Sequence, residues 1–287
     1  MIKPKTPGPL PGERPILIVG GRGMLGFELA KVLADLKPVV WDKAEIDIGN
    51  ESSVHKLVTK LKPRLVINAA AYTDVDGCES NSGLAMQING DAVGYLADAC
   101  SEIDAVIVHL STDYVFRGDQ PDGYAEDDKP DPINAYGESK VRGEHLLAEG
   151  TSKYYLVRSA WLYGRNGRNF IDTMLSLANE KRVIKVVDDQ IGSPTYAVDL
   201  ASAIRRLVDQ RSPFGIYHLV NQGQTSWYGL AQETFRLAKI DTPLQPVLSS
   251  EFPREARRPA WSILKNTKTE ALRPWPDALA DYLKTKG

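Results

Sequence analysis

The sequence predicts an α/β protein: a doubly wound, Rossmann-type parallel sheet with a smaller α/β C-terminal lobe for substrate. Three observations carry this expectation. Apolar runs without polar alternation, such as PILIVG (15–20), RLVINA (64–69) and AVIVHL (105–110), alternate with stretches of helical period through the first half. Strands of that kind are buried on both faces, as in parallel sheets covered by helices. Glycines 20, 23 and 26 fall between the first run and the first helix, and beyond residue 160 the rhythm becomes short, irregular and proline-rich.

The elements follow in order. Residues 1–14 hold four prolines and no apolar signal core, so they read as a flexible tail. Strands are expected at 15–20, 38–42, 64–69, 105–111 and 154–159, with helices at 24–36, 51–61, 84–100 and 135–147 between them. Right-handed crossovers then give the doubly wound sheet over 15–160. The polar, proline-rich stretch 117–132 joins the fourth strand to the next helix and reads as a mobile lip beside the site. Residues 161–287 form mainly the second lobe, with short strands at 184–187 and 216–220 and helices at 198–208 and 227–238. About 193–212 of that stretch is expected to return to the first domain.

Composition excludes several classes. The 287 residues are 43% hydrophobic and 25% charged, with net charge −2. No basic excess suggests nucleic acid, and no apolar run approaches the roughly 20 residues that span a bilayer. The two cysteines, Cys78 and Cys100, have no metal spacing and fit a reducing cytoplasm. His55, His109, His145 and His218 stand singly and read as structural.

Glycines 20, 23 and 26 have a shared physical reason. The chain must turn tightly, let backbone N–H groups approach a pyrophosphate, and let the helix pack closely on the strand. The helix N-terminus adds free N–H groups and partial positive charge. A dinucleotide is therefore the expected cofactor. Asp42, ending the second strand, suits the ribose hydroxyls of NADH, whereas Lys43 and Arg22 suit the 2′-phosphate of NADPH. The choice between the two stays open at this point.

Tyr136 and Lys140 lie one helical turn apart, 24 residues after Thr112. A carbonyl reductase needs a phenol to protonate the carbonyl oxygen, and a neighbouring ammonium to stabilise phenolate and lower its pKa. Chance alone supplies about one Tyr-x-x-x-Lys pair in a chain like this. Tyr282 and Lys286 form such a pair, near a C-terminus expected to fray, and Tyr282 reads as surface. Only Tyr136 follows a strand that delivers Ser111 and Thr112 to one place.

Several motifs then converge: GGRGMLG (20–26), NAAAYTDVDGCE (68–79), STDYVF (111–116), NAYGESK (134–140), RSAWLYG (158–164), NF (169–170), DDQIGSPTYA (188–197) and RRP (257–259). The chain resembles the dTDP-4-dehydrorhamnose reductases of the extended short-chain dehydrogenase/reductase superfamily. That resemblance implies Thr112, Tyr136 and Lys140 as the catalytic residues, with Lys140 also binding nicotinamide ribose. It implies Gly23, Met24 and Leu25 at the pyrophosphate, Asp47 and Ile48 at the adenine, and Ala69, Ala71, Tyr72 and Thr73 along the cofactor's centre. Val75, Asp113, Tyr114 and Trp161 match the sugar pocket, where Trp161 offers a flat apolar wall. A substrate pyrophosphate needs a cation, and Arg254, Arg257 and Arg258 cluster in 253–259. Arginine's fork suits phosphate oxygens, and Arg258 is favoured.

Some members of that family dimerise around Mg²⁺ held by glutamates. Glu28 matches one such position, read here as an exposed helix carboxylate. Val198, with Asp199 beside it, stands where a second glutamate is expected, which argues against a metal bridge in any homodimer. The expected reaction is NAD(P)H-dependent reduction of the C4 ketone of dTDP-4-dehydro-β-L-rhamnose. Two alternatives are reduction of another dTDP-4-keto-6-deoxyhexose and a non-catalytic NAD(P)-binding regulatory subunit. The intact Thr112, Tyr136 and Lys140 speak against the second.

Overall fold

The computed structural model describes residues 14–180 and 183–286. The tail expected at 1–14 lies outside them except for Arg14, whose guanidinium donates to the carbonyls of Lys62, Pro63 and Ile103. The first half runs β1 (Ile16–Val19), α1 (Met24–Val32), β2 (Val39–Trp41), α2 (Glu51–Leu61), β3 (Leu65–Asn68), α3 (Val75–Ser80), α4 (Ser82–Ala85), α5 (Ala92–Glu102), β4 (Val106–Thr112), α6 (Ala135–Gly150) and β5 (Tyr154–Ser159). The second half runs β6 (Leu162–Tyr163), α7 (Phe170–Ala178), β7 (Ile184–Val187), β8 (Ile191–Gly192), β9 (Thr195–Tyr196), α8 (Ala197–Asp209), β10 (Gly215–His218), β11 (Thr225–Ser226), α9 (Trp227–Ala238), β12 (Leu244–Val247) and α10 (Trp275–Lys284).

Six strands form one parallel sheet in the order β10-β5-β4-β3-β1-β2. The strand order reverses between β1 and β3, the switch point where ligands gather in such sheets. Alternate residues of each strand feed opposite cores. Ile16, Ile18, Leu65, Ile67, Val106 and Val108 meet Leu25 and Leu29 of α1 and Leu200, Ile204 and Leu207 of α8. Leu17, Val19, Val66 and Ile107 meet Val54 and Val58 of α2, Leu96 and Cys100 of α5, and Leu147 of α6. Both faces are covered, so the strands carry no polar alternation. The chain beyond residue 160 returns to this domain through α8 and also through β10, the sheet's sixth strand. The smaller lobe holds the pairs β6–β9, β7–β12 and β8–β11. Among the described residues no helix is long and apolar enough to cross a membrane.

Four expectations need correction. The long helix expected at 84–100 is α4, a π-helical turn at Met86–Asp91, and α5. The wider turn brings Asn89 to Tyr72, accepting from its N–H at 2.8 Å and donating to its carbonyl at 2.9 Å. The stretch 117–132 is pinned instead of free: the Tyr124 N–H donates to the Ile263 carbonyl, the Lys265 N–H donates to the Tyr124 carbonyl, and the buried Glu126 accepts from the Thr267 hydroxyl at 2.6 Å. Tyr282 is fully buried, its hydroxyl bonded to Asn169 and Asp172, because α10 packs its apolar stripe onto the lobe. Glu28 is buried too, 4% exposed and paired with Lys31 at 3.0 Å.

One buried ion pair ties β5 to α6. Arg158 of β5 and Glu144 of α6 meet through two hydrogen bonds of 2.9 and 2.6 Å, at 1% and 5% exposure. Ser111 of β4 donates to the same carboxylate at 2.6 Å, and Phe116 lies under the guanidinium at 5.0 Å. Glu144→Ala leaves the guanidinium buried without its partner and lowers the unfolding free energy by about 3–5 kcal/mol. Urea titration of that variant measures the loss, and the double variant Glu144→Leu/Arg158→Met recovers most of it.

Candidate active site

The turn after β1 is shaped for a dinucleotide. Gly20 has φ of +77°, and a Cβ there would lie 2.6 Å from the Ala70 nitrogen, so the backbones after β1 and β3 nearly touch at the switch point. A Cβ on Gly26 would lie 2.1 Å from the Gly20 carbonyl oxygen, so α1 packs directly on its own turn. Beside this turn opens a cavity of about 600 Å³, to which Gly20, Gly23, Asp42, Asp47, Ile48, Ala69, Ala71 and Tyr72 all contribute. These residues suit a bound dinucleotide: a glycine cradle for phosphates at one end and apolar Ile46 and Ile48 at the other. Leu25 is buried in the core, Met24 packs its side chain near Gly164 and Gly167, and Thr73 is exposed beyond the cavity lining. Asp42 accepts from the backbone N–H of Arg22 at 2.9 Å and of Lys43 at 2.8 Å. The Arg22 guanidinium reaches Glu45 at 3.1 Å.

The second half of the site is made by α6 against the end of β4. Asn134 caps the helix, accepting from the Gly137 N–H at 2.8 Å. A Cβ on Gly137 would stand 2.2 Å from the Tyr114 carbonyl oxygen, so the first turn of α6 presses on the backbone that follows Thr112. Tyr136 and Thr112 therefore meet, phenol to hydroxyl, and the Tyr114 ring packs edge-on to Tyr136 at 5.8 Å. Burial, then the Asp113 charge, push the Tyr136 pKa up. Burial outweighs any lowering of this phenol by the Lys140 ammonium, whose Nζ donates to the Leu110 carbonyl at 2.6 Å and lies 3.4 Å from His109 Nε2.

Asp113 is 2% exposed. Its Oδ1 accepts from the Thr112 hydroxyl at 2.9 Å, while Oδ2 is buried without a hydrogen-bond partner. Burial raises its pKa to about 6, against the stabilising hydroxyls of Ser262 and Thr112. Val75 opens α3, which Asp74 caps by accepting from Gly77 N–H at 3.0 Å. Arg258 pairs with Asp76 of α3 at 3.0 Å and donates to the Ala256 carbonyl at 2.9 Å. Trp161 holds φ of +44°, a backbone a bulky side chain rarely adopts. Its ring stacks on Trp227 at 3.5 Å and 4°, over Gly192, where a Cβ would lie 2.4 Å from the indole.

A family model described as RmlD substrate binding domain matches residues 14–286. A dTDP-4-dehydrorhamnose reductase of Burkholderia thailandensis is 41% identical over 268 residues, 88% of this chain and 90% of that one. The chain belongs to the dTDP-4-dehydrorhamnose reductase family. Two solved members of this family superimpose closely. The reductase of Clostridium acetobutylicum, 41% identical, covers 94% of this chain and 99% of its own with a TM-score of 0.91. That of Bacillus anthracis, solved with NADP, is 38% identical, covers 95% and 99%, and has a TM-score of 0.92.

Sequence reasoning missed several residues that shape this candidate site. Gly137 sets the approach of α6, and Asn89 donates to the Ser139 hydroxyl at 3.0 Å, tying the π-helical turn to the helix bearing Tyr136. Leu84, Gln87 and Ile88 line the cavity, and Ser262 reaches Asp113 from the second lobe. The glycine of Tyr-Gly-x-x-Lys was the one visible signal; the others depend on contacts distant in sequence. Among the described residues no three His, Cys, Asp or Glu side chains gather as a metal site. Asp199 is committed to Arg273 and Asn221 at 2.8 and 2.7 Å.

The Asp113 carboxyl has a measurable consequence. Its folded pKa is about 6 and its ordinary value 3.8, so the folded state holds this proton more tightly than the unfolded state. Stability therefore falls as pH rises from 4 to 6, and the penalty is fully present above 6. Asp113→Asn removes it. Urea unfolding at pH 8 will find the variant more stable by about 3 kcal/mol, a gain that vanishes at pH 4.

Proposed function

We propose that this chain reduces the C4 ketone of dTDP-4-dehydro-β-L-rhamnose to dTDP-L-rhamnose, with NADPH as reductant. The observation that carries the reading is the Tyr136 phenol against the Thr112 hydroxyl, at the end of a parallel strand beside the dinucleotide cavity. Gly20, Gly23 and the α1 N-terminus would hold the pyrophosphate, and Asp47 with Ile48 would face the adenine. When bound, the nicotinamide supplies a hydride to the ketone carbon. NADPH is preferred because the Asp42 carboxylate is already engaged by two backbone N–H groups, with the Arg22 and Lys43 residues on the same rim.

Each side chain then has a defined task. Thr112 would turn its hydroxyl proton from Asp113 to the ketone oxygen and orient it, and Tyr136 donates its phenolic proton to that oxygen. Lys140 supplies positive charge for the nicotinamide ribose and the developing phenolate. The unpartnered Oδ2 of Asp113 is suited to a sugar hydroxyl, which would satisfy a buried acceptor at no cost elsewhere. Trp161, fixed by its stack on Trp227, borders the deoxysugar. Arg258 can turn from Asp76 to the substrate pyrophosphate. The reading places the enzyme in the cytoplasm, with Cys78 and Cys100 as buried thiols, and admits a homodimer without a bridging metal.

Tyr136→Phe tests the assignment. The variant should bind NADPH as the native protein does and lose about 10²–10⁴-fold in kcat with freshly generated substrate, followed as loss of nicotinamide absorbance. Full activity in the variant excludes Tyr136 as the proton donor. Parallel assays with other dTDP-4-keto-6-deoxyhexoses, and with NADH, decide substrate and cofactor. No oxidation with any of these sugars would favour a binding subunit.

A further inference from the structure

Behind the catalytic face runs a polar chain of Asn68 at the end of β3, His109 in β4 and Lys140 in α6, exposed by 0%, 0% and 2%. Buried polar groups are costly unless every hydrogen bond has a donor and an acceptor. Here the backbone dictates the assignment. Asn68 Oδ1 accepts from the Ala70 N–H at 3.1 Å, so its NH₂ is the group facing His109 Nδ1 at 3.1 Å. Nδ1 must therefore accept. Burial keeps this imidazole neutral whatever the charge on Lys140, so its one proton sits on Nε2. That N–H faces Lys140 Nζ at 3.4 Å, while Nζ donates to the Leu110 carbonyl at 2.6 Å. An ammonium satisfies the carbonyl but meets the imidazole donor to donor. A neutral amine satisfies both contacts, donating to one and accepting from the other.

We infer that His109, held in its Nε2-protonated tautomer by Asn68, is a positioning residue that biases Lys140 toward the neutral amine. The groups around Lys140 agree with that bias. Glu144, one turn along α6, favours the cation, but its charge is shared with Arg158 of β5. Tyr136 stands one turn before, with Asp113 of the β4 end and Cys78 of α3 acting on the phenol. Burial outweighs Glu144 and brings Lys140 down to about 8. The cation that a phenolate and a ribose require is then lost as pH rises through about 8. The donor of His109 adds to burial and so helps to place the alkaline limit of turnover.

This consequence rests on the roles proposed for Tyr136 and Lys140; the tautomer does not. ¹⁵N NMR of histidine-labelled native protein should show His109 protonated at Nε2 and bare at Nδ1. In His109→Phe the alkaline limb of kcat/KM should move up by about one pH unit, since the opposing donor is gone. Asn68→Asp offers a second route: its carboxylate accepts from both Ala70 N–H and Nδ1–H, reversing the tautomer and moving the limb the same way. An Nδ1-protonated ring in the native protein overturns the inference, as does an unmoved limb in a variant that keeps native thermal stability and NADPH affinity. Should His109→Phe fail to fold, the native spectrum and Asn68→Asp decide alone. Activity retained by Tyr136→Phe would instead strike the catalytic reading and leave the tautomer standing.

Discussion

The contact between the first turn of α6 and the backbone after β4 is the constraint on which the site depends. Gly137 has no room for a side chain against the Tyr114 carbonyl, and Gly143 none against the Asn89 carbonyl, where a Cβ would come within 2.2 Å. Because α6 lies so close, Tyr136 reaches Thr112 and Lys140 reaches the strand's interior. The pair Glu144–Arg158 locks the same helix to β5, and Ser111 joins that pair one residue before Thr112. Helix position and strand register are thus fixed together.

That closeness also explains the unusual electrostatics. Three ionisable groups, from the residue after β4 and from α6, gather around the β4 end, and burial is the largest influence on each: it raises Asp113 and Tyr136 and lowers Lys140. All three shift toward their uncharged forms. A site that holds its acid, phenol and amine near neutrality gains most from a ligand that supplies hydrogen bonds to them. Asp113 Oδ2, buried without a hydrogen-bond partner, is the clearest instance.

Much of the fold was legible because its causes are local. Apolar runs such as ILIV at 16–19 and LVIN at 65–68 signal strands buried on both faces, and the glycines at 20 and 26 signal a turn on which a helix must sit. The unread parts have causes distant in sequence. The π-helical turn at 86–91 exists because Asn89 serves Tyr72 and Ser139, residues 17 and 50 positions away. Tyr282 looked like a frayed surface residue, yet Asn169 and Asp172 await its hydroxyl more than a hundred residues upstream. The acidic stretch around 117–132 looked mobile because its anchors, Leu264 and Thr267, lie in the last fifty residues.

His109 shows the same limit most sharply. An isolated histidine on an apolar strand is ordinarily a satisfied core residue, and by burial it is one. What changes its meaning is a single backbone N–H, that of Ala70, which claims the oxygen of Asn68 and so turns the amide's donor toward the ring. From there the proton on the far nitrogen follows, and with it the form of the catalytic lysine that the ring can accept. The alanine run after β3 thus does two things at once. It lets the glycine turn of β1 approach for the cofactor, and it biases, through two buried side chains, the charge of the amine that reaches the neighbouring strand β4.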